Sequence, residues 1–380
     1  MNDKTGHVLI RYGEIGTKSR PVQGKMLNAL RQRVQDKLEY EEIDFQKVSL
    51  GNGRIIVKTD NAEKAVEKMK NLPGVVSASP ALKVNSEIEE MKEASENFEY
   101  GETFGIDATT SNTELSTLDI NRELGGHVEE FTGSPVDLDN PETWLKVEVR
   151  GDDSFLFTTT VSGPGGLPVG TQDEYLSLIS GGIDSPVATY KMMKSGADIT
   201  PIYFYNRPIA AEDHLIRFEA VLQKLKEYHP GKKWNYYIVD MDEVNKELMG
   251  IEKGRMVVHR KIMFKVAEKI AEKEGLRGLV TGESLGQKSS QTARNLENTT
   301  REIEKPLMRP LLTESKNEIT AKAREIGTFE LSEINSACRS LAPDSPSTDL
   351  KEDQLQELEE KVDIEELVEK AFTEREKKSI

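Results

Sequence analysis

Cysteine, histidine and long apolar runs are all scarce in this chain of 380 residues. The single cysteine, Cys338, cannot form a disulfide within the chain, and the five histidines lack the spacing of metal ligands. We therefore expect neither a zinc site nor an iron–sulfur cluster held by one chain. No apolar run approaches the roughly 18–20 residues that span a membrane, and the N-terminus lacks a secretory pattern. These absences predict a cytoplasmic protein without membrane contact.

A net positive charge is also absent, because 67 acidic residues outnumber 51 basic ones and give a formal net charge of −16. Such a protein is not expected to wrap nucleic acid over its whole surface, so the charge is compared segment by segment. Residues 1–72 hold 14 basic and 10 acidic residues, whereas residues 76–165 hold 5 basic and 19 acidic ones. If a polyanion binds, the first segment and cationic loops elsewhere must supply most contacts. The alternative is an ordinary acidic, soluble surface.

Hydrophobic periodicity divides the chain into four parts. Residues 1–75 follow the order strand, helix, hairpin, helix, strand, which is typical of a ferredoxin-like domain. Residues 76–165 predict a second small α+β domain that ends in a turn-rich junction. In residues 166–350 strands alternate with helices, so we expect a doubly wound parallel sheet with ligands at the carboxyl ends of its strands. Residues 351–380 predict an acidic tail of one or two amphipathic helices.

The segment SGGIDS, residues 180–185, lies between an apolar strand and a helix. Its glycines predict backbone conformations closed to other residues and close approach of ligand oxygens to main-chain N–H groups. Ser185 is expected to cap the helix, with Pro186 at the first helical position. Free amides and the helix dipole would then face an anion. The spacing differs from the GxxxxGK[ST] loop of phosphoryl transfer and from the GxGxxG dinucleotide turn.

This segment is similar to the pyrophosphate loop of enzymes that split ATP between its α and β phosphates. Other motifs share its register: RYGEIGTKS at 11–19, GGLPVG at 165–170, LVTGESLGQKSSQTARNLE at 279–297, RPLL at 309–312 and REIGTFELS at 324–332. Together these motifs closely resemble the tRNA 4-thiouridine synthetase (ThiI) family over about residues 7–350, in the form that lacks a rhodanese domain.

The resemblance implies a ferredoxin-like domain, a THUMP domain that recognises tRNA, and a pyrophosphatase-loop domain. It implies that ATP, with Mg²⁺, adenylates O4 of the uridine at position 8 of tRNA, and that sulfur then displaces AMP. Adenylation divides one difficult displacement into two easier ones, because AMP is a better leaving group than a uracil oxygen. The family also implies a homodimer and a secondary role in sulfur transfer for thiamine thiazole synthesis.

The resemblance also assigns residues to roles. Nucleotide contacts are expected from Leu178, Ile179, Ser180, Gly181, Gly182, Ser185, Tyr203, Phe204, Arg260, Gly282 and Gln291. Asp184 is expected as the magnesium-side carboxylate, because the departing pyrophosphate must be neutralised. Lys316 follows the capping-box pattern Ser315-x-x-Glu318 and aligns with a lysine that activates the uridine. Taken singly, each residue also fits a plain role in the core or on the surface.

Cys338 lies where the family carries a catalytic cysteine, although an isolated cysteine is most often a small buried hydrophobe. Arg339 beside it would favour the thiolate. With no rhodanese domain in these residues, sulfur is expected from an external donor, either free sulfide or a persulfide-carrying protein, with Cys338 as a relay. RNA contacts are expected from Arg11, Lys18, Arg20 and Lys25, because residues 76–165 are too acidic to supply many phosphate contacts.

Two alternatives remain open at this stage. One is another pyrophosphate-loop adenylating enzyme that acts on RNA, although cytidine thiolases typically need paired CxxC motifs, which this sequence lacks. The other is an RNA-binding module with an inactive nucleotide site. The intact loop at residues 180–185 favours an enzyme, and release of AMP from ATP would distinguish the two.

Overall fold

The computed structural model describes residues 6–208, 210, 212–229, 231, 233–251, 253–333 and 349–380. Two compact units are present, and the first ends at Pro168 while the second begins at Val169. In the described part of the chain, no helix combines the length and the apolar character needed to cross a membrane.

The first half of the first unit confirms the predicted ferredoxin-like order. Its elements are β1 (His7–Arg11), α1 (Arg20–Tyr40), β2 (Lys47–Gly51), β3 (Arg54–Lys58), α2 (Ala62–Met69) and β4 (Ser77–Asn85), with a short 3₁₀ turn at Glu14–Thr17. The apolar residues spaced along α1 are buried as the periodicity predicts: Met26, Leu30, Val34 and Leu38. They pack with Val8 and Ile10 of β1, so α1 covers one face of the sheet.

The second half of this unit adds three strands, two helices and a short edge strand. They are α3 (Ile88–Ser95), β5 (Phe104–Ser111), α4 (Thr117–Thr132), β6 (Thr143–Arg150), β7 (Asp153–Phe157) and β8 (Val161–Ser162). The strand order is β2-β3-β1-β4-β7-β6-β5, with β8 beside β4. The predicted elements are therefore present, but they extend a sheet that the first half begins.

Strand β4 joins the two halves. Its first part, Ser77–Ala81, pairs with β1, and its second part, Leu82–Asn85, pairs with β7. The strand predicted at residues 75–78 is thus the beginning of a longer one, and the predicted boundary at residue 75 lies just ahead of it. Pro80 hid this continuity, because proline inside a run argues against a strand.

Glu148 on β6 forms a second connection between the halves. Its buried carboxylate accepts from Nε of Arg11 at 2.5 Å, Nε of Arg54 at 2.9 Å and Nη2 of Arg150 at 3.0 Å. Burial alone would raise the pKa of Glu148, but the charges of Arg11 and Arg54 outweigh it, so the pKa lies below its ordinary value. Arg11 also donates to Oγ of Ser79 at 3.0 Å. One carboxylate therefore fixes arginines from three strands.

We expect Glu148→Gln to destabilise the first unit by about 3 kcal/mol, because breaking a buried ion pair leaves charges without compensation. Urea unfolding at pH 7 measures this loss. Since the pKa of Glu148 is lowered by folding, its contribution is complete above the ordinary glutamate range and disappears as pH falls below about 4. Exposed Glu89 supplies the control, and Glu89→Gln should change stability by less than ~0.5 kcal/mol. Equal effects of both variants would contradict the expectation.

The second unit alternates strands and helices as predicted. Its elements are β9 (Glu174–Leu178), α5 (Asp184–Lys194), β10 (Asp198–Tyr205), α6 (Glu212–Lys226), β11 (Asn235–Asp240), α7 (Asp242–Leu248), α8 (Arg255–Glu274), β12 (Gly278–Val280), α9 (Ala293–Thr300), β13 (Leu307–Met308), α10 (Lys316–Glu325), α11 (Phe329–Ser332), α12 (Glu352–Glu359), α13 (Ile364–Thr373) and β14 (Arg375–Ser379). The sheet order is β13-β12-β9-β10-β11-β14. Hydrophobic cores on both faces confirm the doubly wound sheet.

The tail differs from its prediction. The amphipathic helices are present as α12 and α13, but the chain then forms β14, which pairs antiparallel with β11. Ile380 and Trp234 exchange backbone hydrogen bonds of 2.9 and 3.1 Å beyond this strand. The sequence REKKS contains no apolar residue, so no alternation revealed a strand at the edge of the sheet.

Candidate active site

A cleft with a cavity volume of about 120 Å³ opens at the carboxyl ends of the neighbouring strands β9 and β12. The lining residues are Leu178, Ser180, Asp184, Ser185, Arg260, Met263, Phe264, Thr281, Gly282, Glu283, Lys288 and Gln291. The structure thus brings together seven of the predicted residues: Leu178, Ser180, Asp184, Ser185, Arg260, Gly282 and Gln291.

The loop between β9 and α5 is held by its two serines. Oγ of Ser185 accepts from the backbone N–H of Ser180 at 2.8 Å and lies 3.0 Å from Oγ of Ser180. Helix α5 begins at Asp184, and no side chain caps it. The prediction that Ser185 caps the helix is therefore wrong, because its hydroxyl bonds back to the loop instead. The prediction that Pro186 occupies the first helical position is also wrong, since Pro186 is the third helical residue.

The glycines at this site allow neighbouring atoms to lie close to the backbone. Neither Gly181 nor Gly182 has a positive φ, so the prediction of backbone conformations closed to other residues is wrong for both. A Cβ on Gly181 would lie 2.9 Å from Cδ of Arg217. A Cβ on Gly282 would lie 2.6 Å from both N and Cα of Ser185. The loop after β12 therefore touches the first turn of α5 directly.

We expect Gly282→Ala to weaken ATP binding by at least about tenfold, or ~1.4 kcal/mol, because the new methyl group must push the loop after β12 away from backbone atoms of α5. Titration of the protein with ATP measures this loss. Gly250→Ala is the matched control, since a Cβ at Gly250 would meet nothing within 4 Å. An unchanged ATP affinity in Gly282→Ala would show that the contact does not shape the cleft.

Asp184 and Lys316 form an ion pair at the cleft. Nζ of Lys316 lies 2.5 Å from Oδ1 of Asp184, and the two side chains are 50% and 14% exposed respectively. The predicted capping box is confirmed: Oγ of Ser315 accepts from the N–H of Glu318 at 3.3 Å, and the Glu318 carboxylate accepts from the N–H of Ser315 at 2.8 Å. The cap fixes the start of α10 and therefore the backbone position of Lys316, the first residue of the helix.

Glu283 is a site residue that sequence reasoning missed. Its carboxylate is 2% exposed, pairs with Arg260, and accepts from Nε of Arg309 at 2.7 Å and Oγ1 of Thr281 at 3.0 Å. Burial would raise the pKa of Glu283, but the charge of Arg260 and the hydrogen bond from Arg309 lower it overall. The glutamate lies inside a recognised motif, but its partners are distant in sequence and only the fold shows the pairing.

Other predicted residues lie beside the cleft without lining it. The side chains of Ile179, Tyr203 and Phe204 are buried in the cores, where Tyr203 stacks on Phe218 with ring centroids 4.6 Å apart. Tyr203 and Phe204 lie near the carboxyl end of β10, so their backbone remains near the ligand edge of the sheet. Cys338 lies outside the described residues.

The predicted RNA contacts divide into two groups. Lys18, Arg20 and Lys25 are exposed around the beginning of α1. Arg11 is largely buried and pairs with Glu148, so its guanidinium has a structural partner within the sheet. Of the four predicted residues, Lys18, Arg20 and Lys25 therefore provide the exposed cationic surface.

The sheet and the loop together define a nucleotide-binding protein of the pyrophosphatase-loop class. Family models match the ThiI ferredoxin-like domain at residues 7–79, the THUMP domain at residues 80–159, and thiamine biosynthesis protein (ThiI) at residues 170–364. The chain belongs to the ThiI family.

Similar proteins span the same length. A probable tRNA sulfurtransferase of Halobacterium salinarum is 38% identical, covering 90% of this chain and 89% of its own. One from Thermococcus kodakarensis is 36% identical, covering 86% and 89% respectively. Among solved structures, a 4-thiouridine synthetase–RNA complex with bound ATP has a TM-score of 0.87 at 33% identity, covering 98% of this chain and 99% of that one.

Proposed function

We propose that this protein is an ATP-dependent tRNA sulfurtransferase that converts the uridine at position 8 of tRNA into 4-thiouridine. The observation that carries this proposal is the cleft in which a pyrophosphate-type loop meets the Asp184–Lys316 pair. Support comes from relatives named probable tRNA sulfurtransferases and from the similar synthetase whose crystal structure contains ATP and RNA.

In the first step, O4 of the uridine attacks the α-phosphorus of ATP, and the bond to the bridging oxygen breaks with its electron pair on pyrophosphate. The backbone N–H groups of residues 180–185 and the Arg260 guanidinium are suited to hold the phosphates, because both present donors to anions. Gly282 and Gln291 contribute to the lining of the same cleft. We expect the ends of β9 and β10, at Leu178–Ile179 and Tyr203–Phe204, to contact the adenosine, because ligands of such sheets bind at the carboxyl ends of the strands.

Asp184 fits a role at a Mg²⁺ ion, since magnesium is commonly held by one or two carboxylates together with substrate phosphates. In the described part of the chain, no group of three or more acidic, histidine or cysteine side chains could hold a metal ion alone. The bound ion would supply neutralisation of the leaving pyrophosphate. Lys316 would stabilise the negative charge that develops during adenylation, because its ammonium group already lies beside Asp184.

In the second step, a sulfur nucleophile adds at C4 and AMP leaves with the former uracil oxygen. We assign the sulfur to an external donor of one of two kinds. Sulfide attacks C4 directly and needs no relay. A persulfide-carrying protein instead passes its outer sulfur to the Cys338 thiolate and leaves as a thiol; the Cys338 persulfide then attacks C4, and an external thiol cleaves the resulting disulfide, forming a mixed disulfide with Cys338 and releasing 4-thiouridine. A cytoplasmic homodimer is part of the same proposal.

The test is a mass-spectrometric search for 4-thiouridine in unmodified tRNA after incubation with the protein, Mg²⁺, ATP and sulfide. We expect the product from the wild type and a loss of at least about 100-fold in rate from Asp184→Asn and from Lys316→Ala, because each removes a charge that the adenylation step requires. Lys361→Ala, at an exposed lysine away from these pairs, should retain full activity. AMP release without the thiolated base would locate the failure in sulfur delivery, and ATP left intact would indicate the binding module.

For tRNA binding we expect the charge-reversed variant Lys18→Glu/Arg20→Glu to raise the Kd for tRNA. The slope of log K against log salt should also fall by about 0.9 for each phosphate that the variant no longer neutralises. Filter binding at several salt concentrations measures both. Lys305→Glu/Lys361→Glu, which makes the same change of −4 in net charge at two lysines of the second unit, is the control. A salt slope of Lys18→Glu/Arg20→Glu identical to that of the wild type would refute this placement of the RNA.

A further inference from the structure

We propose that the loop from Ser284 to Gln291 receives the target nucleotide, with Leu285 packed against the base and Lys288 paired with an adjacent phosphate. The inference rests on the proposed function and specifies where its substrate is held. A base inside folded RNA must leave its stack before its O4 can reach ATP, and enzymes that act on such bases hold them against apolar or aromatic side chains.

Leu285 is unusual within its motif. Its side chain is 54% exposed, whereas Thr281, Glu283, Ser284 and Gln291 around it are buried. A single exposed leucine needs no explanation on a protein surface. This one, however, lies in sequence between two residues that line the cleft, Glu283 and Lys288, so it offers an exposed apolar side chain on the same loop as the cleft lining.

The loop is anchored, so Leu285 has a defined position. The N–H of Leu285 donates to the carbonyl of Leu312 at 3.0 Å, and Oγ of Ser284 donates to the carbonyl of Glu314 at 3.1 Å. Gly286 N–H closes the loop onto the carbonyl of Gln291 at 2.9 Å. Residues 312–314 lead directly into Lys316, which places Leu285 beside the segment that carries the lysine of the adenylation step.

Lys288 differs from the other cations at the cleft. Arg260 and Arg309 pair with the buried Glu283, and Lys316 pairs with Asp184. Lys288 is exposed and lines the cleft, and within the described ranges the structure gives it no carboxylate partner. Its charge is therefore available to a ligand. An apolar side chain and an available cation three residues apart match the two parts of a nucleotide, a base and a phosphate.

The first experiment measures single-turnover formation of 4-thiouridine at saturating ATP, sulfide and unmodified tRNA. Leu285→Asp should slow it by about tenfold or more, because the base can no longer pack against an apolar side chain. Leu285→Met should stay within about twofold of the wild type. The Kd values for ATP and for whole tRNA should not change, since both are set elsewhere. Met249→Asp, at an equally exposed apolar residue, is the matched control.

A rate for Leu285→Asp within twofold of the wild type would overturn the inference. So would a loss of ATP affinity equal to the loss of rate, because Leu285 would then serve the nucleotide cleft. Urea unfolding of each variant excludes a general loss of folding.

A second experiment does not depend on activity. A tRNA transcript carrying 4-thiouridine at position 8 is irradiated in complex with the wild-type protein, and the crosslinked peptide is identified by mass spectrometry. We expect the crosslink within residues 284–291, and a crosslink elsewhere would overturn the placement. If the wild type makes no 4-thiouridine but the crosslink is found here, the docking site stands and the proposed reaction fails.

Discussion

The close contact between Gly282 and the first turn of α5 is the constraint on which the cleft depends. Strands β9 and β12 are neighbours in a parallel sheet, so the loops that follow them leave from the same edge. They meet because residue 282 has no side chain, and a methyl group there would lie 2.6 Å from backbone atoms of Ser185. This contact brings the loop at residues 180–185 and Glu283 together in the lining of one cleft.

In the first unit, a shared strand and a buried ion-pair network connect the two halves. Strand β4 pairs with strands of both halves within one continuous sheet, and Glu148 binds arginines from both halves. Movement of one half against the other would break backbone pairing and expose a buried carboxylate. The cationic residues around α1 are therefore presented on a surface that is rigid with respect to the acidic half.

Local patterns predicted most of the fold, because helix and strand periods depend on residues near each other in sequence. The alternating strands and helices predicted for residues 166–350 are present, and the loop at residues 180–185 revealed the site. Long-range pairings were not predictable: Glu283 meets Arg309 and Arg11 meets Glu148 only after folding. Atypical composition also hid parts of the fold: the continuation of β4 past its internal proline and the whole of the fully polar β14.

Arginine and lysine occupy different environments in the site: the arginines pair with a buried carboxylate, and Lys316 is half exposed. Arginine makes planar, multiple hydrogen bonds and suits fixed pairing, whereas lysine is a compact charge on a flexible stem. Arg260 and Arg309 are both held by the carboxylate of Glu283, so their positions are set before any ligand binds. Lys316 is half exposed and has one partner, Asp184. An ammonium group held in this way can exchange its carboxylate for the charge that develops during adenylation, which a guanidinium fixed in a buried network cannot do. Under the proposed function, Arg260, which lines the cleft, would therefore hold the nucleotide in a preset position, and Lys316 would respond to the charge of the reaction.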